Sequence, residues 1–144
     1  MAQILVLNGV NLDMLGVRDP SMYGGISLNE LETQIYGWAH ELVLSVRCRQ
    51  TNSEGEYVGW IHDAYGDADG VVVNPGAWSH YSYAIRDALE ILTVPIVEVH
   101  LSDIHAREAW RRESVIADLA AERVIGKGAA GYRDALVYLA GVTE

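Results

Sequence analysis

The stretch GVVVNPG, residues 70–76, decides the fold of this chain. Its consecutive valines predict a fully apolar β-strand, and Pro75 ends that strand because proline has no amide hydrogen for a strand ladder. Four more short runs with strand-like composition stand at intervals along the chain, namely QILVLN (3–8), SVRCRQ (45–50), PIVEVH (95–100) and RVIG (123–126). The sequence therefore predicts five strands.

The segments between these runs are predicted to be helices. Ser27 and Glu30 match a capping box, in which the two side chains bond free amides at a helix start, and apolar residues then recur at helical spacing as far as Leu42. Further helices are expected over 54–65, over 79–92, from near Asp103, and over 131–139. Strands that alternate with helices indicate right-handed βαβ units. We expect an α/β, flavodoxin-like single domain over 1–144, with a parallel sheet of order 2-1-3-4-5 and helices on both faces.

Composition limits the kinds of partner. Hydrophobic residues make up 50% of the 144 and charged residues 21%, as in a globular domain, and the formal net charge is −10. An acidic chain is a poor ligand for nucleic acid, whose phosphates need a basic surface. The single cysteine, Cys48, permits no internal disulfide, the five histidines are scattered, and no apolar run is long enough for a membrane span. We expect a cytoplasmic protein with no metal, no nucleic-acid partner and no membrane association.

Polar side chains gather where the strands end. In a doubly wound sheet, ligands bind beyond the carboxyl ends of the strands, at the switch point between strands 1 and 3. Strand 1 leads to Asn11 and then to GVRDPSMYGG, residues 16–25, whose glycines and proline predict a loop and not a helix. The other candidates follow strands 3 and 4, namely Asn74, His80, Glu98, His100, Leu101, Ser102, Arg107 and Arg111.

These residue types suit the removal of a proton followed by the loss of water. A phenol such as Tyr23 is a base only where a cation stabilises its phenolate, and Arg18 in the same loop can supply that charge. The carboxamide of Asn11 can polarise a carbonyl or hold a water that stabilises an enolate. His100 can protonate a departing oxygen. Base, oxyanion stabiliser and acid together describe enolisation and elimination.

Several of these residues also have a purely structural interpretation. Asn8 and Asn74 are ordinary turn formers before glycine and proline, and a lone histidine is commonly structural. Arg107 and Arg111, one turn apart on the expected fourth helix, either face solvent or bind an anionic substrate. The stretch GKGAAG, residues 126–131, matches a dinucleotide-binding pattern but follows the last strand and not the first, so we expect a tight turn there.

Four stretches in this order and spacing, LNGVNLDMLG, GVRDPSMYGG, NPGAWSHYSYAIRDAL and VEVHLSDIHARE, resemble the type II 3-dehydroquinate dehydratases. The resemblance runs from Ile4 to Leu139. It implies a flavodoxin-like, cofactor-free hydro-lyase, usually a dodecamer of four trimers. Such an enzyme converts the anion 3-dehydroquinate to 3-dehydroshikimate by anti elimination through an enolate. This step belongs to the shikimate pathway, towards chorismate and the aromatic amino acids.

The resemblance also assigns catalytic roles to residues of this chain. Tyr23 resembles the base and Arg18 the residue that activates it, while Asn11 would support the enolate. His100 would protonate the departing hydroxyl. Two residues would orient His100, namely Asn74 and Glu98. The stretch 16–25 would be a lid that closes over the substrate and excludes water.

Substrate-binding roles follow in the same way. Leu101 and Ser102 would hold the substrate carboxylate, partly through backbone amides. His80 and Arg111 would bind the ring hydroxyls, and Asn74 would line the same site. Asp87 would reach in from a neighbouring subunit.

The chain departs from the common pattern of that family beside the expected site. Val10 replaces a proline, and Asp103 replaces an asparagine, which puts a carboxylate next to the expected anion site unless Asp103 serves a helix N-terminus. Three alternatives stay open. The first is a Schiff-base enzyme that uses Lys127, the only lysine. The second is a flavodoxin-like domain that binds flavin or acts in signalling. The third is an inactive relative that serves in assembly.

Overall fold

The structure, a computed structural model, describes residues 1–143 and contains a five-stranded sheet. Neighbouring strands are parallel, in the order β2-β1-β3-β4-β5. The strands are β1 (Gln3–Asn8), β2 (Ser45–Gln50), β3 (Gly70–Asn74), β4 (Ile96–His100) and β5 (Glu122–Ile125). The predicted number, order and direction of the strands are confirmed.

Helices cover both faces of this sheet. They are α1 (Pro20–Tyr23), α2 (Leu28–Glu41), α3 (Glu54–Ala64), α4 (Tyr83–Ile91) and α5 (Ala130–Val142). Helices α2 and α5 pack on a core that includes Val6 and Val72, while α3 and α4 pack on the opposite core, which includes Leu7 and Val73. Because successive strand residues point to opposite faces, a strand buried on both faces must be apolar throughout. This explains the valine run of β3.

The ends of β1 and β3 lie side by side. Asn8 and Asn74 are partners in the parallel register, and the amide of Gly9 donates a hydrogen bond to the Asn74 carbonyl oxygen at 2.8 Å. A Cβ atom on Gly9 would lie only 2.4 Å from the carbonyl oxygen of Pro75. Only glycine permits this approach. The close contact holds the ends of β1 and β3 together beside a cleft at the carboxyl edge of the sheet, which Asn74 lines.

The third predicted helix begins later than the sequence indicated. Helix α4 starts at Tyr83, because the Ser82 hydroxyl accepts a hydrogen bond from the Ile85 amide and caps the first turn. The preceding residues form a 3₁₀ turn over Gly76–His80. His80 therefore sits in a tight turn after β3 and not on the α-helix.

The prediction of an α-helix from near Asp103 was wrong. The described chain forms separate 3₁₀ turns there, over Ile104–Ala106, Ala109–Arg112 and Ala117–Leu119. Arg107 and Glu108 are extended and interrupt the helical path. Arg107 and Arg111 are consequently not one turn apart on one helix, and their side chains reach different parts of the cleft.

The stretch 16–25 was predicted to contain no helix, and this too was wrong. Pro20–Tyr23 form the single turn α1, which Asp19 caps by accepting a hydrogen bond from the backbone amide two residues on. Gly24 ends the turn with φ 86°. Proline at the first position and glycine just after the last are typical helix signals. The turn carries Tyr23 inward, leaving 8% of it exposed.

Candidate active site

The cleft at the carboxyl edge of β1, β3 and β4 gathers most of the predicted residues. Its lining includes Asn11, Arg18, Tyr23, Asn74, His80, His100, Leu101, Ser102 and Arg111. Glu98 lies buried behind His100, and Asp87 lies elsewhere, exposed on α4. Arg107, which the sequence had grouped with Arg111 as a possible anion site, also lines the cleft.

The phenol oxygen of Tyr23 lies between two guanidinium groups. Arg18 Nη2 donates a hydrogen bond to it at 2.6 Å, and Arg107 Nη1 donates another at 2.6 Å. The Arg18 guanidinium carbon also lies 4.0 Å from the centre of the ring. Two cationic side chains therefore donate to one phenol oxygen. Arg18 was expected in this place, whereas the contact of Arg107 arises from the break in the helical path after Asp103.

His100 is held by a buried carboxylate at the end of β4. Glu98 Oε2 and His100 Nε2 are 2.6 Å apart, and the Ser114 hydroxyl donates to the same oxygen at 2.7 Å. Arg123 Nε donates to the other oxygen at 2.8 Å. Burial raises the pKa of Glu98, but its hydrogen bond with His100, the charge of that ring, the Ser114 hydroxyl and the Arg123 charge together lower it to about 2. Glu98 is therefore ionised at neutral pH.

Asn74 has partners that the sequence did not predict. Its Nδ2 donates to the Tyr132 hydroxyl at 2.9 Å, and its Oδ1 accepts from the Gly76 amide at 3.2 Å. The Tyr132 hydroxyl donates in turn to Asn8 Oδ1 at 2.6 Å. The side chain of Asn74 thus bonds Tyr132 and Gly76. Of the two residues that were predicted to orient His100, Glu98 is the one that bonds its ring.

Asn11 adopts an uncommon backbone conformation at the cleft. Its φ is 70°, in the left-handed region, which asparagine tolerates better than most residues. Its backbone amide donates to Asn52 Oδ1 at 2.9 Å, and Asn52 Nδ2 donates to Asp13 at 3.1 Å. The backbone of Asn11 is thereby fixed while the residue lines the cleft.

His80 presents a defined face to the cleft. Its Nδ1 lies 2.5 Å from the Glu113 carbonyl oxygen, which only accepts, so Nδ1 carries the hydrogen. Burial, partly offset by this bond, lowers the pKa of His80 and favours the neutral ring. In that form Nε2 is an acceptor suited to a hydroxyl group. The ring of Trp110 packs edge-on against His80, with 5.3 Å between ring centres.

Two further arginines, Arg107 and Arg111, line the cleft. Glu108 holds Arg111 Nε at 3.2 Å from each carboxylate oxygen, and Arg107 Nη1 donates to the Ser102 hydroxyl at 3.1 Å. The carboxylate of Asp103 accepts from the amide two residues on and caps a 3₁₀ turn. This supports the structural alternative for Asp103. Although the chain as a whole carries a net negative charge, three guanidinium groups line its cleft.

The remaining candidates lie outside the cleft. Lys127 is 60% exposed and pairs with Asp134 at 2.8 Å. The glycine-rich turn after β5 has Gly126 and Gly128 at positive φ, as a tight turn requires. Within residues 1–143, no three His, Cys, Asp or Glu side chains are grouped so that they could hold a metal ion. None of the described helices is long and apolar enough to cross a membrane.

Comparisons of sequence and of fold with known proteins point to the same protein family. The family model "Dehydroquinase class II" matches residues 2–140. A 3-dehydroquinate dehydratase of Pelobacter propionicus is 50% identical over 138 residues, covering 95% of this chain and 93% of its own, and one of Syntrophotalea carbinolica is 52% identical with the same coverage. The crystal structure of a type II dehydroquinase from Propionibacterium acnes superposes with a TM-score of 0.95 at 47% identity, covering 98% of this chain and 97% of its own.

Proposed function

The chain belongs to the dehydroquinase class II family, and from that premise we propose how its residues act. It is a hydro-lyase that removes water from 3-dehydroquinate to give 3-dehydroshikimate, a step of the shikimate pathway. The observation that carries the proposed chemistry is the phenol oxygen of Tyr23, which accepts hydrogen bonds from two guanidinium groups at 2.6 Å each beside the cleft.

Tyr23 acts as the base. As a phenolate stabilised by Arg18 and Arg107, it takes a proton from the carbon next to the substrate ketone. The electron pair of the broken C–H bond moves onto the ketone oxygen and gives an enolate. The carboxamide of Asn11 stabilises the negative oxygen by hydrogen bonding, directly or through a water.

His100 acts as the acid. When the enolate reforms its carbonyl group, the carbon–oxygen bond to the β-hydroxyl breaks, and His100 gives that hydroxyl a proton so that it leaves as water. Glu98 holds the ring by the 2.6 Å contact at Nε2 and stabilises its charged form before the transfer. Asn74 lines the site from the β3 side.

Substrate binding uses the rest of the cleft. The backbone amides of Leu101 and Ser102 hold the substrate carboxylate, near the charge of Arg107. His80 and Arg111 bind the ring hydroxyls, His80 through the acceptor nitrogen left free by its bond to the Glu113 carbonyl. No cofactor is needed for these steps.

We further propose that the chain is a single catalytic domain over 1–144 and assembles in the cytoplasm as a dodecamer of four trimers. Asp87 is exposed on α4, so it can contribute to a cleft only in another copy. Nearby Tyr81 and Tyr83 are 60% and 67% exposed, as is common for apolar groups at an interface. Light scattering should give twelve times the chain mass of 15.8 kDa. A monomer would contradict this assembly.

The test of the chemistry is an ultraviolet assay with 3-dehydroquinate and no added metal or cofactor. The conjugated product absorbs where the substrate does not. We expect turnover in the natural chain, nearly none in Tyr23→Phe, and full turnover in Tyr65→Phe, because Tyr65 is exposed at the end of α3. Lys127→Ala should also stay active, which separates this mechanism from Schiff-base chemistry. Tyr23→Phe activity within a few-fold of the natural chain would refute the assignment of the base.

A further inference from the structure

Arg123 forms an ion pair with Glu98 from the neighbouring strand. The two residues are partners in the parallel register of β4 and β5, and Arg123 Nε donates to Glu98 Oε1 at 2.8 Å. The Glu98 side chain is fully buried, whereas 28% of the Arg123 side chain is exposed. The carboxylate thus lies inside the protein, whereas part of the Arg123 side chain is in contact with water.

The two oxygens of Glu98 have different partners. Oε2 meets His100 Nε2 and accepts from the Ser114 hydroxyl, while Oε1 accepts from Arg123. Arg123 is not among the residues that line the cleft. Arg123 is thus linked to His100 through the Glu98 carboxylate.

We propose that Arg123 is a positioning residue for the acid step, whose guanidinium limits how strongly Glu98 stabilises the positively charged form of His100. This inference rests on the proposed role of His100. A carboxylate whose charge is shared with a guanidinium attracts an imidazolium less than a free carboxylate does. The proton that must pass to the departing hydroxyl is then released more readily, while the bond from Glu98 still fixes the ring.

Other ionisable groups face the same pair and would remain in any Arg123 variant. His80 stacks on His100 with 6.2 Å between ring centres, and Arg111 lines the same cleft. Tyr57 lies near Glu98 from α3, and burial raises the pKa of its phenol, so it stays neutral. Changing Arg123 therefore alters one charge at the carboxylate and leaves the charges of the cleft as they are.

The experiment compares Arg123→Gln, which keeps a hydrogen-bond donor without charge, with Arg123→Lys, which keeps the charge. Arg133→Gln, at an exposed position of α5, is the control. In Arg123→Gln we expect kcat to fall roughly three- to tenfold with KM nearly unchanged, and the basic limb of the kcat profile to move up by about one pH unit. In Arg123→Lys the basic limb should lie where it lies in the natural chain, and Arg133→Gln should not move it.

The inference is overturned if folded Arg123→Gln keeps the limb of the natural chain, or if the limb of Arg123→Lys moves as far as that of Arg123→Gln. If circular dichroism shows that Arg123→Gln does not fold, the test passes to Arg123→Lys. A charge effect requires Arg123→Lys to keep the basic limb of the kcat profile where it lies in the natural chain. The ring signal of His100 in NMR, assigned by its loss in His100→Gln, provides a readout that needs no turnover. A chain that does not turn over 3-dehydroquinate would refute the proposed function, while this titration would still test the inference.

Discussion

Replacing Tyr132 by phenylalanine would remove one oxygen atom from a buried chain of hydrogen bonds. That oxygen accepts from Asn74 at 2.9 Å and donates to Asn8 at 2.6 Å, and all three residues are buried. Without it, one donor and one acceptor lose their partner among residues that are at most 4% exposed. Each such loss costs about 1–3 kcal/mol, so we expect a destabilisation of about 3 kcal/mol and a drop in Tm of roughly 10 °C.

The same change should weaken catalysis, because Asn74 loses the bond that fixes its amide at the cleft. We expect a loss of kcat on the order of fivefold, well below the loss in Tyr23→Phe. Urea unfolding followed by circular dichroism would measure the stability, at one protein concentration because assembly adds to apparent stability. Tyr138→Phe is the matched control, since Tyr138 is half-buried on the same helix. Equal stability of the two variants would refute the reasoning.

Three further predictions follow from the geometry. Arg107→Met should fold yet lower kcat about a hundredfold, since one of the two cations at the phenol oxygen is lost; an unchanged kcat in the ultraviolet assay would contradict this. The pKa of Glu98 falls from 4.5 to about 2 on folding, so its stabilisation is complete above pH 4.5 and disappears as the pH falls towards 2. This amounts to about 3 kcal/mol, and Glu98→Gln should flatten the acid part of a plot of unfolding free energy against pH. Gly9→Ala should cost about 1–3 kcal/mol through the clash with Pro75, measured by urea unfolding, whereas Gly37→Ala, at an open helical position, should not.

The sheet was predictable because its signals are local. The strands β1, β3 and β4 are short and mostly apolar runs, and β3 is apolar on both faces because both are covered. The position of the site followed from topology, since parallel strands bring their carboxyl ends to one edge. Asn11, Asn74 and His100 therefore meet at the cleft although long stretches of sequence separate them.

The partners of these residues were less predictable, for physical reasons. Arg107 reaches Tyr23 because the backbone is extended after the 3₁₀ turn over Ile104–Ala106, and that path depends on contacts made across the cleft. Tyr132 has the pattern of an ordinary apolar helix position, so nothing in its neighbourhood indicates that its hydroxyl bonds residues of β1 and β3. Arg123 similarly reads as an ordinary residue of a strand, and the sequence does not indicate its bond to Glu98. Tertiary distances, which the sequence does not contain, decide all three contacts.

The chain of hydrogen bonds through Tyr132 also bears on the order of synthesis. Every residue that lines the cleft stands at or before Arg111, so a ribosome has made all of them before it reaches α5. Their supports come afterwards, with Arg123 on β5 and Tyr132 on α5. A nascent chain that has emerged only as far as Arg111 would hold the cleft residues without the contacts that fix them. Activity should therefore appear late, when α5 docks against β1 and β3.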